Sequence, residues 1–205
     1  MGRDVELECL CGAVHGLARD VSSKTANRVI CLCGDCQTFA HYLGRADLLD
    51  RDGGSDVIQL APSSITFDRG TEKIACVRLG PKGPYRWYAS CCKTPLGNTV
   101  KPSLPFVGIL PELFREARDP ERRDELFGPP RARINGKSAV GTPPPGSTDR
   151  NLGFLMHTVF TILGWKLRGR AFPHPYFDRA SEPLYPVKIL TREEREQARS
   201  KRGTT

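Results

Sequence analysis

The chain lacks any run near the roughly 18 consecutive apolar residues that a membrane-spanning helix needs, which argues against an integral membrane protein. Its opening, Met1–Cys9, holds three acids and no apolar segment, so a secretory signal is not expected. Position 6 is Glu6 where N-myristoylation needs Ser or Thr. With nothing directing it to an oxidising compartment, the expected location is the cytoplasm, where thiols stay reduced. No repeat of solenoid period is visible. The most informative absence is cysteine beyond residue 92: all eight (Cys9, Cys11, Cys31, Cys33, Cys36, Cys76, Cys91 and Cys92) precede Lys93, and the remaining 113 residues have none. Positive charge is distributed the other way. Residues 1–110 hold 13 Lys and Arg against 11 Asp and Glu, while residues 111–205 hold 18 against 12.

What is present reads as an ordinary globular chain: 205 residues, 39% hydrophobic and 26% charged. The cysteine spacing is not that of a disulfide scaffold. Cys-x-Cys pairs and the vicinal Cys91-Cys92 rarely bridge, because a disulfide needs Cα atoms roughly 4.4–6.8 Å apart with converging Cβ vectors. Reduced cysteines grouped as 9/11, 31/33/36 and 91/92 suit metal ligation, and sulfur-rich ligation selects zinc or an iron–sulfur cluster. The run Cys31-x-Cys33-x-x-Cys36 has neither ferredoxin spacing, which favours zinc. Residues i and i+2 of a strand share a face, so strands predict that Cys9 with Cys11, and Cys31 with Cys33, each grip one ion. Gly34-Asp35 is then the turn that brings Cys36 round. Cys91 and Cys92 reach one metal only if the chain turns there, and Cys92-Lys93-Thr94-Pro95 is the candidate turn.

Along the chain, Glu6–Leu17 reads as a hairpin edge broken by Gly12, and Asn27–Leu32 as a strand delivering the second cysteine group. Gln37–Leu43 predicts a short helix closed by Gly44. Ile58–Leu60, Ser64–Phe67, Ile74–Leu79 and Tyr85–Ala89 are short strand-like runs between Gly/Pro turns. Asp50–Asp56 fails the calcium-loop pattern, having Ser55 and Ala61 where Gly and Glu are required, and reads as a surface turn. These features predict a mainly β fold, a zinc-stapled sheet domain of short strands over residues 1–110, with a C-terminal extension containing helices over 111–205. In the extension, Asp119-Pro120-Glu121 starts a helix. Residues 128–149, with nine Gly or Pro among 22, predict an irregular crossing. The stretch after Asp149, residues 150–170, predicts a helix apolar on nearly all sides, buried in a core or in a contact between subunits of a homo-oligomer. Thr191-Arg192-Glu193-Glu194 is a capping box opening a charged helix.

The order Cys9-x-Cys11-Gly12, then Cys31-x-Cys33-x-x-Cys36, then a late cysteine followed by Thr94-Pro95-Leu96, resembles the glutathione-dependent formaldehyde-activating enzyme family, over roughly residues 7–100. The resemblance implies a β-tent of antiparallel strands pinned by zinc. It implies a structural zinc on Cys9, Cys11 and two late cysteines. A second zinc would sit on Cys31, Cys33 and Cys36, where the family handles a glutathione adduct. Two departures stand out. Ala89 falls where the first cysteine of the late knuckle belongs, and Lys93 replaces its glycine. Besides Cys92, the fourth ligand of the first site is then Cys91 or Cys76, although Cys76, in a strand-like run, also reads as a buried hydrophobe.

Two functions follow. One is carbon–sulfur lyase-like chemistry, with glutathione or another small thiol as partner and Lys93, Arg86 or the basic second half attracting its carboxylates; the other is a non-catalytic zinc-stapled binding or assembly module. Nucleic acid is a poor partner for the near-neutral cysteine segment, despite the basic second half. His41 is near enough in sequence to reach the second zinc but more simply packs. Trp87 and Tyr88, adjacent on a strand, face opposite ways. Arg131 and Arg133, and the tail Arg195, Arg199, Lys201 and Arg202, are candidate phosphate contacts, with the interleaved glutamates making the tail first a solvated helix.

Overall fold

The computed structural model describes residues 2–149 and 151–201; Met1, Arg150 and the tail from Arg202 onward lie outside them. In chain order the strands are β1 (Arg3–Glu8), β2 (His15–Val21), β3 (Asn27–Cys31), β4 (Ser55–Leu60), β5 (Ile65–Arg69) and β6 (Ile74–Arg78). They continue as β7 (Tyr85–Ala89), β8 (Pro95–Thr99), β9 (Val107–Ile109), β10 (Arg133–Ile134), β11 (Ser147–Thr148) and β12 (Val187–Ile189). The helices are α1 (Gly34–Leu43), α2 (Pro120–Phe127), α3 (Leu152–Leu167) and α4 (Arg192–Ser200). The fold is mainly β, with its longest helix in the C-terminal part.

β1, β2 and β5 form a small antiparallel sheet, and the other strands form a large one in the order β11-β10-β3-β4-β9-β8-β7-β6-β12. The expected antiparallel pairing runs from β3 to β6, whereas the strands contributed by the second half pair parallel: β10 with β3 and β12 with β6. Residues after 110 therefore complete both edges of the sheet that carries the cysteines.

The main core lies between the sheets, where the alternating inward residues Val5, Leu7, Ala18, Ile58, Leu60 and Trp87 are fully or almost fully buried. Tyr176 and Phe177 are inserted into it from the C-terminal part. Fully enclosing such side chains contributes roughly 1.5–3 kcal/mol each. On the other face of β6, Val77 and Leu79 pack with Phe39 and Leu43 of α1 and with Leu190. Two buried layers thus fix β7 from both sides, with Trp87 on the inner face and Tyr88 against the α1 layer.

Local signals account for several boundaries. Asp119 caps α2 by accepting from the Glu121 N–H, and Thr191 and Glu194 form the reciprocal capping box of α4. Gly44 ends α1 in the left-handed conformation, φ 69°, its N–H satisfying the last-turn carbonyls. α1 begins at Gly34, earlier than expected: Gly34-Asp35 is its first turn, and Cys36 lies within the helix. Of the two expectations for α3, burial in the core is corrected, because only Trp165 of this helix is buried within the chain. The aromatic side chains of Tyr176 and Phe177 already fill the interior. α3 lies outside, with Leu152, Leu155, Met156, Val159, Phe160, Leu163 and Leu167 exposed. Among the described residues, no helix is long and apolar enough to cross a membrane.

Candidate metal centres

Two cysteine groups each gather their sulfurs within 4.8 Å: Cys9, Cys11, Cys91 and Cys92 in one, and Cys31, Cys33 and Cys36 in the other. All eight cysteines are free thiols.

The four-cysteine group forms where two hairpin loops meet. β1 ends at Glu8, so Cys9 and Cys11 lie in the loop to β2 rather than on one strand face, and Gly12 turns that loop with φ 73°. The Val14 N–H donates to Cys9 Sγ at 3.2 Å, and Cys9 and Cys11 Sγ are 3.5 Å apart. Cys91 and Cys92 occupy the turn between β7 and β8, closed by the Lys93 N–H donating to Ala89 O at 2.8 Å. Lys93 takes a left-handed backbone there, φ 59°. The conformation expected of a glycine is thus retained with a lysine in place, at a cost of roughly 1–2 kcal/mol. Thr94 joins the loops. Its fully buried hydroxyl accepts from the Leu10 N–H at 3.0 Å and lies 3.0 Å from Cys92 Sγ. Cys11 and Cys91 Sγ close the cluster at 3.3 Å, and Cys91 and Cys92 Sγ are 3.8 Å apart.

Four thiolates around an ion at a metal–sulfur distance of about 2.3 Å have tetrahedral edges of roughly 3.8 Å. The Cys9–Cys11, Cys11–Cys91 and Cys91–Cys92 separations, 3.5, 3.3 and 3.8 Å, lie close to that figure, and all four sulfurs are within 4.8 Å of one another. Burial, and then hydrogen bonding to Cys11 and Cys92, pushes the Cys91 thiol up to about 12. Burial also opposes the Cys92 thiolate, but hydrogen bonds from Thr94 and from the Cys11 backbone prevail and bring it down to about 6. Cys76 is elsewhere. It lies buried in β6 within the core, so Cys91 and not Cys76 stands with the other three.

The three-cysteine group sits where β3 runs into α1. Cys31 ends the strand, Cys33 is the helix N-cap, and Cys36 is in the first turn. Cys31 and Cys33 are therefore not on one strand, as the spacing predicts; a strand end and a helix start converge instead. Cys33 Sγ accepts from the Cys36 N–H at 3.3 Å, doing with sulfur what a serine cap does with oxygen. Asn135 Nδ2 donates to Cys31 Sγ at 3.3 Å. Hydrogen bonding within the trio, followed by burial, pushes all three thiols up to about 11. A bound cation has to displace these protons, so its uptake is coupled to pH. Cys31 and Cys36 line a cavity of about 170 Å³ whose other walls include Phe106, Val57, Gln59, Arg86 and Asn98.

Other candidates fall away from these centres. His41 is buried and lines a separate cavity with Gln37 and Asp50. Trp87 belongs to the core. Arg133 ties down the Asp50 turn through Asp50 and Asp52, at 2.6 and 3.1 Å, and Arg131 donates to Ser23 O. In the tail, Arg199 faces Asp35 at 3.7 Å, and Arg195 donates to Leu79 O. Thr94 and Asn135 are the site residues that spacing did not reveal, because each acquires its role only through tertiary contact.

The fold and these two clusters define a mainly-β protein with two thiol-rich centres, each able to hold a metal ion. The chain belongs to the family of unknown function DUF6151, which matches residues 1–186. No curated protein matches the sequence. Among solved structures, it is similar to a crystal structure of a Rhodobacter sphaeroides protein at 15% identity and a TM-score of 0.42, covering 59% of this chain and 96% of that one.

Proposed function

We propose that this is a zinc protein with one structural and one reactive centre, the latter serving carbon–sulfur chemistry on adducts of a thiol with a small aldehyde. The observation that supports this reading is the difference in ligand count: four sulfurs gather at one centre and three at the other, and Cys31 and Cys36 of the trio line a cavity. Four protein thiolates close a tetrahedral ion, whereas three leave one position for an exchangeable ligand. When bound, zinc lowers the pKa of a coordinated thiol and polarises a carbonyl oxygen.

The chain's own groups supply the rest. Cys31, Cys33 and Cys36 hold the ion, the α1 N-terminus and the Asn135 N–H favour negative charge on sulfur, and Phe106 and Val57 give the cavity apolar walls. In the adduct-forming direction the thiolate sulfur bonds to the aldehyde carbon, and the carbonyl π pair moves to oxygen, which takes a proton. The lyase direction reverses each change. Glutathione is the thiol that the family resemblance implies.

Elemental analysis and calorimetry test this. The purified protein should carry two zinc ions per chain and bind glutathione. Cys33→Ser should carry one, lose glutathione binding and keep its circular dichroism spectrum. Two zinc ions without glutathione binding would leave both centres as staples of a binding or assembly module.

A further inference from the structure

Arg86 stands beside the three-cysteine centre in an unusual electrostatic setting. It is 3% exposed, yet among the described residues no carboxylate lies within ion-pair distance of it. The buried arginine of β3 shows what is usual: Arg28 meets Asp56 with two donors and Asp124 with a third. Arg86 has instead one long hydrogen bond, from Nη1 to Asn98 Oδ1 at 3.4 Å, and the face of Phe39, 5.2 Å from its guanidinium carbon. Its Nε is buried with no acceptor. A guanidinium does not shed its proton in a protein, and an unpaired buried charge costs several kcal/mol. The residue lines the same cavity as Cys31 and Cys36.

We propose that Arg86 is a carboxylate-binding residue, and that the cavity takes a small thiol bearing a carboxylate, with its sulfur toward Cys31, Cys33 and Cys36 and its carboxylate on the guanidinium. This rests on the reading of the trio as an open metal centre and names its ligand class. Three features support it. The guanidinium fork matches a carboxylate with two parallel N–H donors, and Nε is free to be one of them. Three thiolates on a divalent ion carry a net charge of −1, which repels an anionic ligand; Arg86 beside them brings the site to neutrality. The volume, about 170 Å³, is close to that of the roughly 150 Å³ cavity known to admit benzene. The enclosed part of the ligand is therefore short, and a larger thiol such as glutathione would extend beyond it.

The test is calorimetric titration of the zinc-loaded protein with 3-mercaptopropionate and with its neutral counterpart 3-mercaptopropanol. Wild type should bind the acid at least tenfold more tightly. Arg86→Gln should bind both equally, and Arg86→Lys, which keeps the charge and loses the fork, should fall between. Equal binding of the two thiols by wild type overturns the carboxylate role and leaves the thiol–metal reading standing, without depending on whether a variant folds. If neither thiol binds, the metal reading fails, and butyrate, which has no sulfur, decides the remainder. Butyrate binding to wild type but not to Arg86→Gln supports the carboxylate site alone, and no binding to either overturns it.

Discussion

The indole of Trp87 stacks on the ring of Tyr176 with centroids 4.6 Å apart and planes 3° from parallel, joining the cysteine-bearing sheet to the C-terminal part. The Tyr176 hydroxyl donates to Leu96 O at 2.7 Å, and a Cβ at Gly97 would lie 2.8 Å from the hydroxyl, so a side chain there would have to displace it. Tyr176→Phe leaves the stack and removes one buried hydrogen bond, an expected loss of about 1–3 kcal/mol. Tyr176→Ala also opens a cavity, for a loss of about 3–5 kcal/mol. Urea unfolding of the two variants measures both. A chain ending at residue 110 lacks Tyr176 together with β10 and β12, and should show no cooperative transition.

The two kinds of cysteine should separate in stability. Cys11 stands in the four-sulfur cluster, whereas Cys76 is in the core with no cysteine sulfur assigned beside it. Cys11→Ser removes a ligand and with it the folding energy linked to the metal, so its melting temperature should fall well below that of Cys76→Ser. A strong chelator should lower the wild-type melting temperature toward that of Cys11→Ser. Equal shifts for the two variants would contradict the assignment.

The cysteine groups were legible because ligand chemistry imposes spacing, and β7 was legible to the residue from its aromatic run. The geometry behind the spacing was less so. A cysteine N-cap falls outside the usual Ser, Thr, Asp and Asn set, so nothing in the residues around Cys33 marked the start of α1. β8 was missed because Pro95, Gly97 and Asn98 are poor strand formers. Its place is set by its partners, Trp87 across the β7 hairpin and, far away in sequence, the Tyr176 hydroxyl above Gly97. The all-round apolarity of α3 allowed a place in the core that the fold does not give it, since periodicity reports what a helix can bury and not whether room remains in the core. The carboxylate-attracting role of Arg86 was anticipated, but its burial was not, because an arginine beside a tryptophan in a strand gives no sign of being enclosed without a carboxylate.

The ion-pair network of Arg28 predicts an asymmetry between two aspartates. Asp56 is largely buried and meets the guanidinium with both oxygens, whereas Asp124, two-thirds exposed, meets it with one. Asp56→Asn leaves a buried charge poorly compensated and should cost about 3–5 kcal/mol. Asp124→Asn, at the solvent edge, should cost about 1 kcal/mol or less. Thermal unfolding at low and high salt distinguishes them, because only the contribution of Asp124 should shrink with added salt.

A pH effect follows from His174, which is buried and accepts the Tyr176 N–H at Nδ1, 3.1 Å away. Burial lowers its pKa from the ordinary 6.5 to about 4, so the folded ring stays neutral over a range in which the unfolded chain's histidine takes up a proton. The unfolded state then binds the extra proton between those two values, and stability must fall as pH drops from 6.5 toward 4. Within that window the slope from this one group approaches about 1.4 kcal/mol per pH unit, and above pH 6.5 it vanishes. Thiolate protonation at the cysteine centres adds its own acid sensitivity, so the informative quantity is the difference between wild type and His174→Asn, whose side-chain oxygen is placed to accept the same N–H. The two unfolding free energies should differ by a constant amount above pH 6.5, with the difference shifting in favour of the variant as acid is added. Parallel profiles down to pH 4 would show that His174 is not the buried neutral group that the structure makes it.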